Sequence, residues 1–426
     1  MRKSILACAA TAAVMMPVLS ANAWGDTAGT QDVGQQATNS QSAGSSASST
    51  QSNPSNTAIH VAILSPGAAG GNVSQSNSSA ATSSAGNTNG TSQQAQQGGG
   101  GAASQAIGQQ AGNSQQAGSQ ATSTQSNPSN TAIHVAILSP GAAAGNVNQS
   151  NSSAATSSAG NTNGTSQQAQ QGGGGGGGGG GVQAIGQEAD NSQDAGSEAT
   201  STQTNPSNQA ISVAILSPGA GSGNVTQSNS SSANSSAGNT NGTSQQAQQN
   251  AAVPVISCGQ CAPHDASVFN CVRVCQAPKP TVQGIGQLAS SEQQAGSHAT
   301  SDQSGASNVA APVDLLSGMH AAPYSAVATG GNVNQSNSSS ATSSAGNTNG
   351  TSQSAQQHAG MWSSPVQAIG QSAGNAQSAM SHASSTQWCP SNLALGLVGS
   401  LLQSNASAAL SSAGNTNGTS QHAAQA

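Results

Sequence analysis

A repetitive β-solenoid, an all-β stack of coils joined by flexible glycine-rich spacers, is the fold this sequence predicts, on three observations. One block recurs five times, opening at Gln31, Gln105, Gln183, Gln283 and Gln367, and self-similarity on this scale marks stacked-repeat architectures. Within each block the residues alternate with period two, a strand signal and not a helical one. Only 3% of residues are charged and 1% aromatic, against about 25% charged in an ordinary globular domain, so no conventional core of large side chains is available. The alternative is a largely disordered low-complexity chain. Gly, Ser and Gln richness favours it; a net charge of only −6 does not, because disorder usually goes with high net charge.

The same composition excludes several functions. An enzyme of 426 residues would need two or three large apolar cores, and no nucleophile, base and orienting group recur together. No catalytic residue and no cofactor are therefore expected. Four Lys and Arg in the whole chain argue against nucleic acid, whose affinity comes mainly from cationic contacts to phosphate.

Residues 1–23 read as an export signal. Arg2 and Lys3 precede an apolar stretch, and Ala21-Asn22-Ala23 is a small-residue cleavage site. The stretch is interrupted by Pro17 and too short to span a bilayer comfortably, and Cys8 has too little apolar sequence before it for a lipoprotein signal. The expected location is secreted, extracellular or at the cell surface, with no membrane span. After a short segment at 24–30, the repeats occupy 31–104, 105–182, 183–249, 283–366 and 367–426, with a Cys-containing insert at 250–282. The run Ser-Ser-Ala-Gly-Asn-Thr-Asn-Gly-Thr-Ser-Gln is unchanged at 83–93, 157–167, 235–245, 343–353 and 411–421. Glycine runs, the longest the tail of the second repeat at 172–181, are read as spacers, because an ordered polyglycine element is entropically costly.

Two alternating units make up each repeat. In the second repeat one carries Ile107, Gln109, Ala111, Asn113 and Gln115; the other carries Val147, Gln149, Asn151 and, further on, Asn161, Asn163, Thr165 and Gln167. These positions should point inward, with Ser150, Thr156 and Thr162 outward. A unit of this kind kept straight would run roughly 70 Å, several times the usual strand. The alternation is therefore expected to fold back at Gly112-Asn113 and Asn163-Gly164, in coils of about 20–25 residues. Between the units lies an apolar run (59–64, 133–138, 211–216) ended by Pro66, Pro140 and Pro218. Its aliphatic side chains are the repeat's expected buried apolar content. Pro312 and Asp314 interrupt it in the fourth repeat, and in the fifth it extends over 393–402.

Gly160-Asn161-x-Asn163-x-x-x-Gln167 resembles the second half of the curlin repeat, with Asn in its Ala place. Gln109-x-x-Gly112-Asn113-x-Gln115 is similar to its middle, one residue shorter, and Val147-x-Gln149-x-Asn151 to its opening. The curlin repeat itself is shorter, and Thr156 stands where it has Gln. The resemblance implies a β-solenoid whose Gln and Asn stack in ladders, here Gln149, Asn161, Asn163 and Gln167 with Gln109 and Asn113. It also implies a protein secreted to build extracellular amyloid fibres in biofilms. The expected partner is the chain itself, as a homopolymer or fibre, with cell-surface polysaccharide a further possibility. A surface adhesin, or an ice- or polysaccharide-binding solenoid, is the second functional reading, resting on regular rows of Ser, Thr and Asn.

Cys258, Cys261, Cys271 and Cys275 could hold zinc tetrahedrally or act as a redox Cys-x-x-Cys. Behind an export signal they read first as disulfide candidates, together with Cys389; no metal is expected. The eight His are scattered singly and none pairs at metal spacing. Glu188, Asp190, Asp194 and Glu198 read as a solvated acidic face that limits lateral stacking. Asn89-Gly90-Thr91 and its copies match a glycosylation sequon, though their unvarying repetition suggests a turn requirement.

Overall fold

The structure is a computed structural model that describes residues 20–24, 30–100, 104–174, 182–217, 219–250, 282–315, 331–358, 366–395 and 400–426. The described residues form three parallel sheets. Each repeat is one coil with three sides. The long outbound strands are β2 (Thr30–Ser52), β5 (Ser104–Ser126), β8 (Val182–Thr204), β11 (Val282–Ser304) and β14 (Val366–Trp388). The short strands are β3 (Ser55–Ile63), β6 (Ser129–Ile137), β9 (Ser207–Ile215), β12 (Ser307–Leu315) and β15 (Ser391–Ala394). The long return strands are β4 (Val73–Gly100), β7 (Val147–Gly174), β10 (Val225–Asn250), β13 (Val333–His358) and β16 (Leu401–Gln425). A further strand, β1 (Ser20–Trp24), lies along the outer edge of β4, from Gln94 to Gly98.

Every strand pairs in register with its counterpart in the next repeat, Gln109 beside Gln187 and Asn161 beside Asn239. Within a coil the return strand runs back across the core from the outbound strand, so that Ser123 meets Ser153 and Asn113 meets Thr165. Burial alternates residue by residue along both, as the period of two requires. The interior is built of small rows: Ala81, Ala121, Ala155, Ala199, Ala233, Ala299 and Ala341 make one cluster, and Val33, Ile107, Ile185 and Ile285 anchor another.

Four expectations need correction. Gly112-Asn113 and Asn163-Gly164 are not corners; they lie inside β5 and β7, which run 23 and 28 residues without a break. One coil is therefore a whole repeat. Strands of such length persist because identical neighbours in exact register, joined by side-chain ladders, stabilise flat sheets that would otherwise twist. The true first corner is the Asn-Pro pair, where Asn53, Asn127 and Asn205 take left-handed φ of 51°, 47° and 46°, a conformation Asn tolerates better than most residues. The glycine runs are not wholly spacers. Gly98, Gly99 and Gly100 pair with Gly172, Gly173 and Gly174, because a backbone ladder needs no side chain; residues 175–181 lie outside the described residues. Finally, the aliphatic run does not fill the core. Ala58, His60 and Ala62 face inward while Ile59, Val61 and Ile63 face out, the last three 65%, 51% and 55% exposed.

Insertions fall only at the linkers and at the corner after the short strand. The ladder step therefore varies from 74 to 100 residues in the outbound sheet while the pairing register is kept.

Candidate functional site: amide ladders and the open ends of the stack

Because inward positions repeat in register, buried amides meet their own kind in the next coil, except at Asn191, which faces Ser291 and donates to Thr243 Oγ1. Gln149 donates from Nε2 to Gln75 Oε1 at 2.9 Å and receives from Gln227 at 2.9 Å. Its second hydrogen reaches the main-chain oxygen of Gln209 at 3.0 Å. Gln167 repeats the pattern with Gln93, Gln245 and the oxygen of Glu188, and Gln109 with Gln35, Gln187 and the oxygen of Gln168. Asn161 donates to Asn239 Oδ1 and across the core to the oxygen of Asp194. Asn163 donates to Asn241 and to Asn191. Asn113 donates to Asn191 and to Thr165 Oγ1, and its own oxygen receives Asn89 and Thr91. An amide with both hydrogens and its oxygen paired carries no burial penalty, whereas each orphaned group costs about 1–3 kcal/mol.

The ladders have polarity. Inward Gln rows donate toward the preceding coil: Gln421 to Gln353, Gln353 to Gln245, Gln245 to Gln167. Inward Asn rows donate toward the following one: Asn87 to Asn161, then Asn239, Asn347 and Asn415. At the carboxy-terminal end the row oxygens of Gln371, Gln377 and Gln387 face the open side of the stack, while Gln287, Gln293 and Gln303 receive their donations. At the amino-terminal end the buried Nε2 of Gln41 has no partner, although its counterparts Gln115 and Gln193 each donate to the coil before them. The inward residues of the two end coils correspond: Gln371 to Gln35, Asn375 to Asn39, Gln377 to Gln41, Asn415 to Asn87 and Gln421 to Gln93. β16 is exposed along nearly its whole length because no coil covers it.

Asn89 and its copies are inward ladder residues, so neither the sequon nor a turn explains their repetition. Asp32, Glu188, Asp190, Asp194, Glu198 and Asp302 all stand on outward positions of the outbound sheet. There Glu188 and Glu198 accept from Gln110 and Gln120, and Asp190 from Ser290. Stacking also makes His pairs that linear spacing hides. His60 and His134 sit 5.7 Å apart, and His298 stacks on His382 at 4.9 Å and 7°. Burial and the neighbouring His60 push the pKa of His134 down, against a hydrogen bond with the backbone of Gly71 that raises it. Among the described residues no cluster of His, Cys, Asp or Glu could hold a metal, and no helix is long and apolar enough to cross a membrane. Cys258, Cys261, Cys271 and Cys275 lie outside the described residues. Cys389 is a free, exposed thiol.

The fold and its ladders define a class, an in-register parallel β-solenoid; among the described residues its last coil is uncovered and its first is covered only by β1 along Gln94–Gly98. Compared with known proteins, the chain matches no family model, no curated protein and no solved structure.

Proposed function

We propose that this chain is a secreted structural protein that adds end to end to form an extracellular or cell-surface fibre. The observation that carries the reading is Gln41 Nε2, buried and without a partner at one end of the stack. The corresponding Gln377 stands at the other end with its oxygen facing outward along the same row. A second chain stacked on the first coil would continue the ladders in the same polarity, and a head-to-tail contact that does not close generates a filament. The resemblance to curlin repeats supports the same reading. The export signal would remove 1–23, and with it all but Trp24 of the strand on the edge of β4, freeing that edge for pairing.

The test is fibre formation by the mature chain beside the double variant Ala409→Lys, Ala423→Lys. Both positions are inward in the last coil, where a lone chain lets the ammonium escape to water but a stacked coil would bury it. Dye-binding fibres from the parent and a soluble β-rich monomer from the variant are expected. Equal fibre yield from both overturns the reading.

A second reading, adhesion to polysaccharide, has one specific observation in its favour. On the outer face of the return sheet the row Thr88, Thr162, Thr240, Thr348 and Thr416 is flanked by two glycine-floored troughs of about 780 and 850 Å³. A folded monomer retained on a glycan column would favour it.

A further inference from the structure

The molecule buries one Ile row in the outbound sheet but carries three rows of Ile and Val on the outside of the short-strand sheet. On the outer face of the short-strand sheet, Ile59, Ile133 and Ile211 form one row, Val61, Val135 and Val213 a second, and Ile63, Ile137 and Ile215 a third. At the rim, Leu64, Leu138 and Leu216 are 69%, 44% and 40% exposed. All three hold left-handed φ, at 53°, 50° and 49°, a region unfavourable for a side chain that cannot hydrogen-bond to its own backbone. The other corner of the same coil uses Asn for the same conformation, at 53, 127 and 205. Corner geometry would be served better by Asn or Gly here too, so it does not account for the leucines. Strain kept together with exposure, three times over, points to a contact surface.

We infer that this face packs against the same face of a second copy, joining two stacks into one filament through a dry aliphatic interface. Charge and chemistry select the occupant. Residues 55–64, 129–138 and 207–216 contain no charged and no Phe, Trp or Tyr residue, so neither an ionic partner nor stacking on a sugar ring is served. On the short-strand sheet the described residues carry one acid, Asp314, at the register position of Ala214, not in the Ile or Val rows, and the other acidic positions named above lie on the outbound sheet, so repulsion between copies at this face is small. Geometry selects it as well. Rows spaced by the ~4.8 Å of adjacent strands interlock best with rows of the same spacing, and another copy supplies them. The exposed Ile, Val and Leu surface is on the order of 1,000 Å² per chain, against the ~800 Å² per partner of a standard stable interface. A pairing of identical faces is isologous and closes on itself, so it doubles a filament without spreading sideways. Filament length rests on the end-to-end reading above; the face-to-face contact does not.

Mass per length by scanning transmission electron microscopy is the test. Five coils rise about 24 Å, so a paired filament holds two chains per ~24 Å and a single stack holds one. Two variants accompany the parent. In one, Val61, Val135 and Val213 are replaced by Thr together with Ile133→Thr and Ile137→Thr, which keeps β-branching. In the other, Leu64→Asn, Leu138→Asn and Leu216→Asn suit the left-handed corner, so a merely structural role predicts unchanged or better folding. Two chains per ~24 Å in the parent, falling to one in both variants with an unchanged β-sheet circular dichroism signal, is expected. One chain in the parent, or two in all three, overturns the inference. If the mature chain makes no fibre, sedimentation decides separately. A parent dimer dispersed by the leucine variant upholds the face and sinks only end-to-end growth; a monomer in every case overturns the face. Flotation of single parent stacks on phosphatidylcholine vesicles would assign the surface to lipid and also overturn it.

Discussion

Asn161 donates its Nδ2 hydrogen to Asn239 Oδ1, 78 residues further along the chain, at 2.9 Å. The same nitrogen reaches the main-chain oxygen of Asp194 at 2.7 Å, and the Asn161 oxygen receives Asn87 at 3.0 Å. One buried amide thus binds three coils along the stack and both long sides of its core.

Replacing Asn161 by Leu removes those three bonds and leaves one hydrogen of Asn87, which keeps its bond to the Gln116 oxygen, and the Asn239 oxygen without their ladder partner. The expected loss is on the order of 3 kcal/mol or more, read as a lower midpoint in chemical denaturation. Thr162→Ser, one position on and facing water, should stay within about 0.5 kcal/mol. Equal effects from the two would remove the distinction between inward and outward rows.

The return corner depends on close backbone approach. A Cβ on Gly145 would overlap the carbonyl of Gly71, and one on Gly223 would overlap that of Gly145. Gly145→Ala should therefore destabilise by about 1–3 kcal/mol, the usual range for overpacking. Gly221→Ala meets open space and restores the residue its counterparts Ala69 and Ala143 carry, so its melting temperature should match the parent's.

Period two was legible because Asn, Gln, Ala and β-branched residues recur on alternate positions, with Ser, Thr and Gly frequent between them. It placed Gln149, Asn161, Asn163 and Gln167 on one face of the return strand, where the structure also has them. Strand length was not legible. Gly112-Asn113 and Asn163-Gly164 carry turn chemistry, yet both sit in a ladder whose neighbours repeat them. The pairing partner, 74 or 78 residues away, decides against the turn. Nor could alternation orient the apolar run, since Ala58, His60 and Ala62 on one face and Ile59, Val61 and Ile63 on the other are both compatible with burial. The narrow interior of Ala, Ser and Asn rows selects the smaller set. The His60–His134 pair was invisible for the same reason as the ladders, because only coil-to-coil register brings its members together.

Cys389 occupies the first corner of the last coil with φ of 49°, where earlier coils carry Asn53, Asn127, Asn205 and Gly305. Cys389→Gly should raise stability by roughly 1 kcal/mol by relieving the left-handed strain, seen as an upward shift in thermal melting. A lower melting temperature would mean that the thiol contributes a contact of its own.

His134 supplies a pH dependence of defined sign. Its folded-state pKa lies below the ordinary value, with burial and His60 as the causes. As pH falls, the unfolded chain therefore takes up the proton first, and stability declines below the ordinary histidine value of about 6.5. Above that value it should be flat. His134→Ser, matching Ser212 in the same row, should flatten the slope between pH 7.5 and 5. A parent whose stability rises on acidification would contradict the assignment.

End-to-end stacking is tested most directly by helical reconstruction of fibres grown from the mature chain by electron cryo-microscopy. The predicted result is strands perpendicular to the fibre axis and a rise of about 24 Å per chain, five strand spacings. The first repeat of each chain should sit on the fifth of the next, with Gln41 Nε2 at hydrogen-bond distance from Gln377 Oε1. First repeats stacked on first repeats, or a fibre in which Gln41 meets no amide of a neighbouring chain, would contradict it.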